Sequence, residues 1–106
     1  MHFIYILTLT ERYQDQANWD DKANDILNRH WLYLVDLHSR GVMKCVGRTD
    51  YQPGHKDLMG IAVFSAESEM QAKEIMDNDP CVKEGVMTAV LHPFSLALIE
   101  GKEPTH

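Results

Sequence analysis

No run in this 106-residue sequence is apolar for long enough to cross a bilayer. The best candidate, 3–9, is too short, is interrupted by Thr8 and followed by Thr10, and has no basic flank, so it reads as a strand and not as a signal peptide. Cysteine is scarce too. Cys45 and Cys81 fall on different expected elements and have neither the number nor the spacing of a disulfide framework or a zinc site, so both are expected to be reduced, buried thiols of a cytoplasmic protein. Basic charge is thin and scattered. Ten Lys and Arg stand against 16 Asp and Glu, a net charge of −6, with no basic patch, which excludes nucleic acid and anionic membrane as expected partners. Internal linkers, low-complexity blocks and short repeats are absent as well. What remains is a single domain, expected over 1–99 with a polar tail at 100–106, large enough to remove roughly 65% of its unfolded surface from water without staples.

The longest helical stretch, 18–41, organises the rest. At helical spacing Ile26, His30, Tyr33, Leu34 and Leu37 share one side, and Ala23, Leu27, Trp31, Leu34 and His38 form the neighbouring stripe. Asn18 is positioned to cap the start, Asp20 and Asp21 suit the first turn, and Gly41 offers a left-handed stop. His30 therefore points inward, where an imidazole needs a partner or water. The expectation is a helix packed on a sheet, with His30 lining a small-molecule pocket between them.

Around this helix the chain reads as strand 2–10, polar connection 11–16, strand 42–48, loop 49–57 carrying Asp50, Pro53 and Gly54, and strand 58–64. In strand 42–48 simple alternation sets Val42, Lys44 and Val46 against Met43, Cys45 and Gly47. A second helix is expected from a Ser65 cap through about residue 76, closed by Pro80, with Asp79 held in extended or turn geometry before the proline. A last strand is expected over 86–92. The order βαββαβ predicts an α+β, ferredoxin-like domain with two helices on one face of an antiparallel sheet. Strands 2–10 and 58–64 are apolar on both faces, so the uncovered face predicts a symmetric homodimer, with higher assembly left open.

The residues also carry a family resemblance. His30-Trp31-Leu32-Tyr33-Leu34 followed by Gly41, then Gly47, Gly60, Ala72, Asp79-Pro80 with Gly85, and Pro93-Phe94, occur in order over nearly the whole chain. In these features the sequence resembles the YciI-like (YCII-related) family of dimeric α+β barrel proteins. The resemblance implies a His and Asp pair as the active site, here His30 and Asp79. One branch of the family resembles enzymes that eliminate chloride from chlorinated hydroxyquinones, and the wider superfamily includes muconolactone isomerases. The chain departs from the pattern at Gly47-Arg48, where Gly-Pro is frequent, and at Ile61, where a polar residue commonly follows the glycine.

An unperturbed imidazole titrates near pH ~6.5, so His30 can take and return a proton near neutrality while Asp79 orients it or stabilises its cation. Such a pair suffices for proton abstraction with elimination or isomerisation on a small cyclic or phenolic metabolite, with no cofactor. Tyr5, Arg48 and His92 lie on strands that can face the cavity, and His55 lies in the loop at its mouth; these four are the candidate substrate-binding residues. No metal is expected. His30 and His38 are two turns apart with no third ligand, and the sequence assembles no ligand set for a haem or metal oxygenase. A non-catalytic small-ligand binding protein with the same pocket is the other reading of these residues.

Overall fold

In the computed structural model, which describes residues 1–101, the alternation along the first strand sets the layers. β1 (His2–Leu9) turns Phe3, Tyr5 and Leu7 to one side, where all three are buried, and Ile4 and Ile6 to the other. It is flanked by β3 (Gly60–Ser65) and β4 (Met87–Phe94), and β2 (Met43–Arg48) completes an antiparallel sheet in the order β2-β3-β1-β4. α1 (Asp21–Ser39) and α2 (Glu69–Asp77) pack on the Phe3/Tyr5/Leu7 side. There Leu34 and Leu37 of α1 and Ala72 and Met76 of α2 close over Phe64, Ala62 and Met43. Each large ring buried there contributes about 2 kcal/mol of transfer free energy. The result is the expected α+β, ferredoxin-like arrangement.

The helix ends explain where α1 sits. Asn18 does not cap it. Residues Glu11–Gln14 and Gln16–Asn18 form two 3-10 turns, the Asn18 amide donates to the Arg12 carbonyl at 2.8 Å, and Asp20 takes over as cap, accepting the Ala23 N–H at 2.9 Å. The C-terminus follows the expectation: Gly41 adopts φ 76° and the Val42 N–H reaches back to the Leu37 carbonyl at 2.9 Å, which closes the helix in a Schellman turn.

Three further expectations change. The second helix starts at Glu69 with Ser68 as cap, because Ser65 is still paired in β3 opposite His2. The last strand runs on to Phe94 and takes in Pro93, which is tolerated because β4 is an edge strand. Simple alternation fails in β2. A register shift between Met43 and Cys45 puts Met43 opposite Phe64, Cys45 opposite Val63 and Val46 opposite Ala62. This bulge brings Met43, Val46 and Arg48 to the helix-covered face and turns Cys45 outward, so Cys45 is exposed while Cys81 is buried.

Of the expected polar tail 100–106, residues 102–106 lie outside the described residues. Among the described residues no helix is long and apolar enough to cross a membrane.

Candidate functional site

Asp79-Pro80, expected to close the second helix in a turn, instead begins a short helix of its own. Pro80 fixes the first turn of α3 (Pro80–Lys83), and Asp79, extended at φ −61° and ψ 124°, caps it by accepting the Cys81 N–H on Oδ1 at 3.0 Å. Gly85, at φ 80°, then turns the chain into β4, with the Val86 N–H returning to the Cys81 carbonyl at 3.0 Å. A two-residue turn signal thus places a carboxylate with 0% exposure under α1.

That carboxylate is also the partner of His30. Nδ1 of His30 lies 2.6 Å from Asp79 Oδ1, and the Tyr5 hydroxyl donates to Asp79 Oδ2 at 2.8 Å. Asp79 already accepts from the Tyr5 hydroxyl on Oδ2 and from the Cys81 N–H on Oδ1, and a carboxylate that accepts in both directions is best matched by an imidazole that places its proton on Nδ1. In the neutral ring Nε2 then carries the lone pair. The His30 side chain is 15% exposed, and Nε2 has no partner among the described residues. One residue earlier, Arg29 is tied to Asp25 at 3.0 Å and to Glu84 at the end of α3. The Arg29 guanidinium holds the Glu84 carboxyl below its ordinary range and pins α1 against the turn that carries Asp79.

Burial, and then the negative charge of Asp79, keep the surrounding acids protonated. Tyr5 is pushed far above the usual tyrosine range, and Tyr33, which donates to the Ile75 carbonyl at 2.7 Å, is pushed up to about 12. The Cys81 thiol also rises to about 12 from its ordinary value of 9.0. The folded chain keeps the Cys81 proton that the unfolded chain releases above pH ~9, so stability falls as pH rises from there to about 12, by on the order of 1.4 kcal/mol per unit. Titration with a chromogenic disulfide at pH ~8 is expected to count Cys45 alone in the native protein and both thiols after denaturation. Rapid reaction of Cys81 in the native state contradicts this environment.

His30, Asp79 and Cys81 are also the one group of three metal-ligand types found together among the described residues, their donor atoms within 4.8 Å of one another. The 2.6 Å separation of Nδ1 and Oδ1 is a hydrogen bond. Two ligands of one tetrahedral ion stand about 3.3 Å apart. In this structure the His30 and Asp79 side chains are joined as a hydrogen-bonded pair.

His30 lies in the wall of a cavity of about 590 Å³ between α1, the ends of β2 and β3, and the loops before α1 and β3. Leu27 and Leu34 line it from the same side of α1, and Trp31 stands beside them, 59% exposed. Arg48 lines the cavity from β2. Tyr5 does not line it, since its hydroxyl lies beneath Asp79. His55 stacks on Tyr51 with centroids 3.9 Å apart and accepts the Asp57 N–H on Nδ1, outside the cavity wall. His92 is exposed on the opposite face of the sheet, paired with Ile4. The structure therefore gathers His30, Asp79 and Tyr5 into one network, adds Arg48 to the cavity, and leaves His55 and His92 away from both. Trp19 and Trp31, neither of them among the candidate binding residues above, also line the cavity. Trp31 was signalled by its position one residue after His30, whereas nothing in the local pattern marked Trp19.

The sequence profile of the YCII-related domain family matches residues 4–92, a span that holds β2 and β3 whole, most of β1 and β4, and both members of the His30 and Asp79 pair. The chain belongs to this family. Among solved structures, this YCII-related domain is similar to 5-chloro-2-hydroxyhydroquinone dehydrochlorinase (TftG) from Burkholderia phenoliruptrix AC1100, in complex with 2,5-dihydroxybenzoquinone. The TM-score is 0.65 at 20% identity, over 90% of this chain and 94% of that one, a likeness of fold along nearly the full length of both. No curated protein matches the sequence.

Proposed function

We propose that this YCII-related domain is a cofactor-independent lyase or isomerase acting on a small cyclic or phenolic metabolite, with His30 as acid–base catalyst and Asp79 as its orienting partner. The observation that carries the reading is the 2.6 Å contact from Nδ1 to Asp79 on a ring that lines the cavity. It supports a ring that carries its proton on Nδ1 and offers Nε2 to the ligand. Nε2 takes a proton from an acidic C–H or O–H of the substrate, and the electron pair left behind either expels a leaving group or shifts and is reprotonated elsewhere. The imidazolium, stabilised by Asp79, then returns its proton to product or solvent. The dehydrochlorinase of similar fold supports the choice of chlorinated or hydroxylated quinols as first substrates. A panel of such quinols and of unsaturated lactones, assayed for turnover and for binding with wild-type and His30-substituted protein, tests the reading. Product formation that depends on His30 upholds it, and binding without turnover in the wild type contradicts it in favour of a receptor.

The working unit is a symmetric homodimer. Both longer helices pack on the Phe3/Tyr5/Leu7 face, while the opposite face shows Ile4, Ile6, Ile61 and Val90, with Val90 56% exposed. A second copy presents the same flat apolar face and can cover it by a twofold operation. Light scattering is expected to give twice the chain mass for the wild type and a shift toward monomer for Val90→Lys, whose cost in the monomer is small at so exposed a position. A wild type that stays monomeric at ~100 μM contradicts the dimer. We place the protein in the cytoplasm, where an exposed Cys45 and a buried Cys81 both remain thiols.

A further inference from the structure

Among the described residues Arg48 has no carboxylate partner, although the chain carries an excess of acid. Arg29 and Arg40 are each paired with carboxylates, and Arg12 lies over the Tyr13 ring. Arg48 makes a single long contact, from Nη1 to the Tyr51 carbonyl at 3.4 Å. It is the one charged side chain in the cavity wall, and no Asp or Glu lines that cavity. The β2 bulge sets it on the helix-covered face, where it lines the cavity while remaining exposed to solvent.

Across the register from Arg48 stands Gly60, which presents no side chain. Gly60 lines the cavity with no side chain of its own, beside Leu7, whose Cβ lies 3.4 Å from where a Cβ of residue 60 would stand. The same cavity is lined by two indoles. Trp19 is anchored by its Nε1–H to the Tyr13 carbonyl at 2.7 Å, and Trp31 has a largely free face.

We propose that Arg48 is a specificity-determining residue that receives the carboxylate of an aromatic or cyclic acid, whose ring lies between the indoles and within reach of His30. A planar guanidinium without a protein counter-ion takes a carboxylate through two parallel hydrogen bonds, and apolar walls strengthen that pair relative to water. This subsite rests on the reading above only in taking the cavity as the place where a small molecule binds.

The two indole N–H signals of the chain both report on the cavity, so an NMR titration reads affinity and location together. The probes are 2,5-dihydroxybenzoate, its carboxamide 2,5-dihydroxybenzamide, and hydroquinone. In the wild type the carboxylate is expected to bind roughly 10- to 100-fold more tightly than the carboxamide and to shift both indole signals. Arg48→Met is expected to bring the two affinities within about twofold while leaving hydroquinone unchanged, and Arg48→Lys to retain part of the preference. Equal affinities in the wild type, no binding of the carboxylate, or a preference that survives Arg48→Met overturns the proposal. The readout is separate from turnover. Loss of the carboxylate preference with His30-dependent catalysis intact removes the subsite alone, and the reverse result removes the catalytic reading alone.

Discussion

Replacing His30 with alanine is expected to lower kcat by a factor on the order of 10²–10⁴ and to leave ligand affinity within a few-fold. Both halves of that result follow from where the ring sits. Nδ1 is engaged by Asp79 and the ring lines the cavity, so the imidazole is supported from behind and meets the ligand through Nε2. Most of the binding surface comes from the aliphatic and indole side chains around it, which the substitution leaves in place. The fold should tolerate the change, because Asp79 keeps its bonds to Tyr5 and to the Cys81 N–H, and water from the cavity can reach the vacated position. Imidazole added to the medium is expected to restore part of the lost rate. Unchanged kcat in the variant contradicts the assignment.

Asp79→Ala is expected to act first on stability. It strands the Tyr5 hydroxyl, the His30 Nδ1–H and the Cys81 N–H at a fully buried position and removes the cap of α3. An unsatisfied buried donor costs about 1–3 kcal/mol and a lost cap about 1 kcal/mol. A combined loss on the order of 3–5 kcal/mol lowers the thermal midpoint of a chain this size by roughly 15–25 °C. Asp79→Asn separates folding from chemistry. Its carbonyl can still accept from His30 and Cys81 while the Tyr5 hydroxyl turns to accept from the new amide, so stability falls by about 1–2 kcal/mol. The charge that stabilises the imidazolium is gone, however, and turnover is expected to drop by a further factor on the order of 10² or more. Thermal melts of both variants, read beside the pH profile of the asparagine variant, check this. A profile that keeps its wild-type shape shows Asp79 to be structural only.

The parts of this site that were legible in the sequence are those written at local spacing. His30 was found because it interrupts an apolar helical stripe between Ile26 and Leu34, and Leu34 lines the cavity with it. Gly41 was found because a helix of L-residues needs a left-handed stop. Asp79 was visible as an extended residue before proline, but that signal is shared with ordinary turns, and only the family resemblance singled out its carboxylate. Its second bond, to Tyr5, joins residues 74 positions apart and has no local signature. The side on which Val46 falls was misread for a different reason. A bulge inserts one residue into the alternation of β2, and the strand is too short for a period of two to reveal the slip. Asp20 displaced Asn18 as the α1 cap because the preceding 3-10 turns consumed the asparagine side chain, a competition between two local structures that composition alone leaves undecided.

Nitrogen NMR of protein labelled in its histidine rings tests most directly whether His30 holds its proton toward Asp79 and offers the other nitrogen to a ligand. The His30 signals among the six histidines are assigned by their loss in His30→Gln, and the spectrum is recorded at pH ~9, where an ordinary imidazole is neutral. The expected result is a protonated Nδ1 and a lone-pair Nε2 whose resonance moves when 2,5-dihydroxybenzoate is added. A proton resident on Nε2, or a ring that saturating ligand leaves unmoved, contradicts the catalytic assignment of His30.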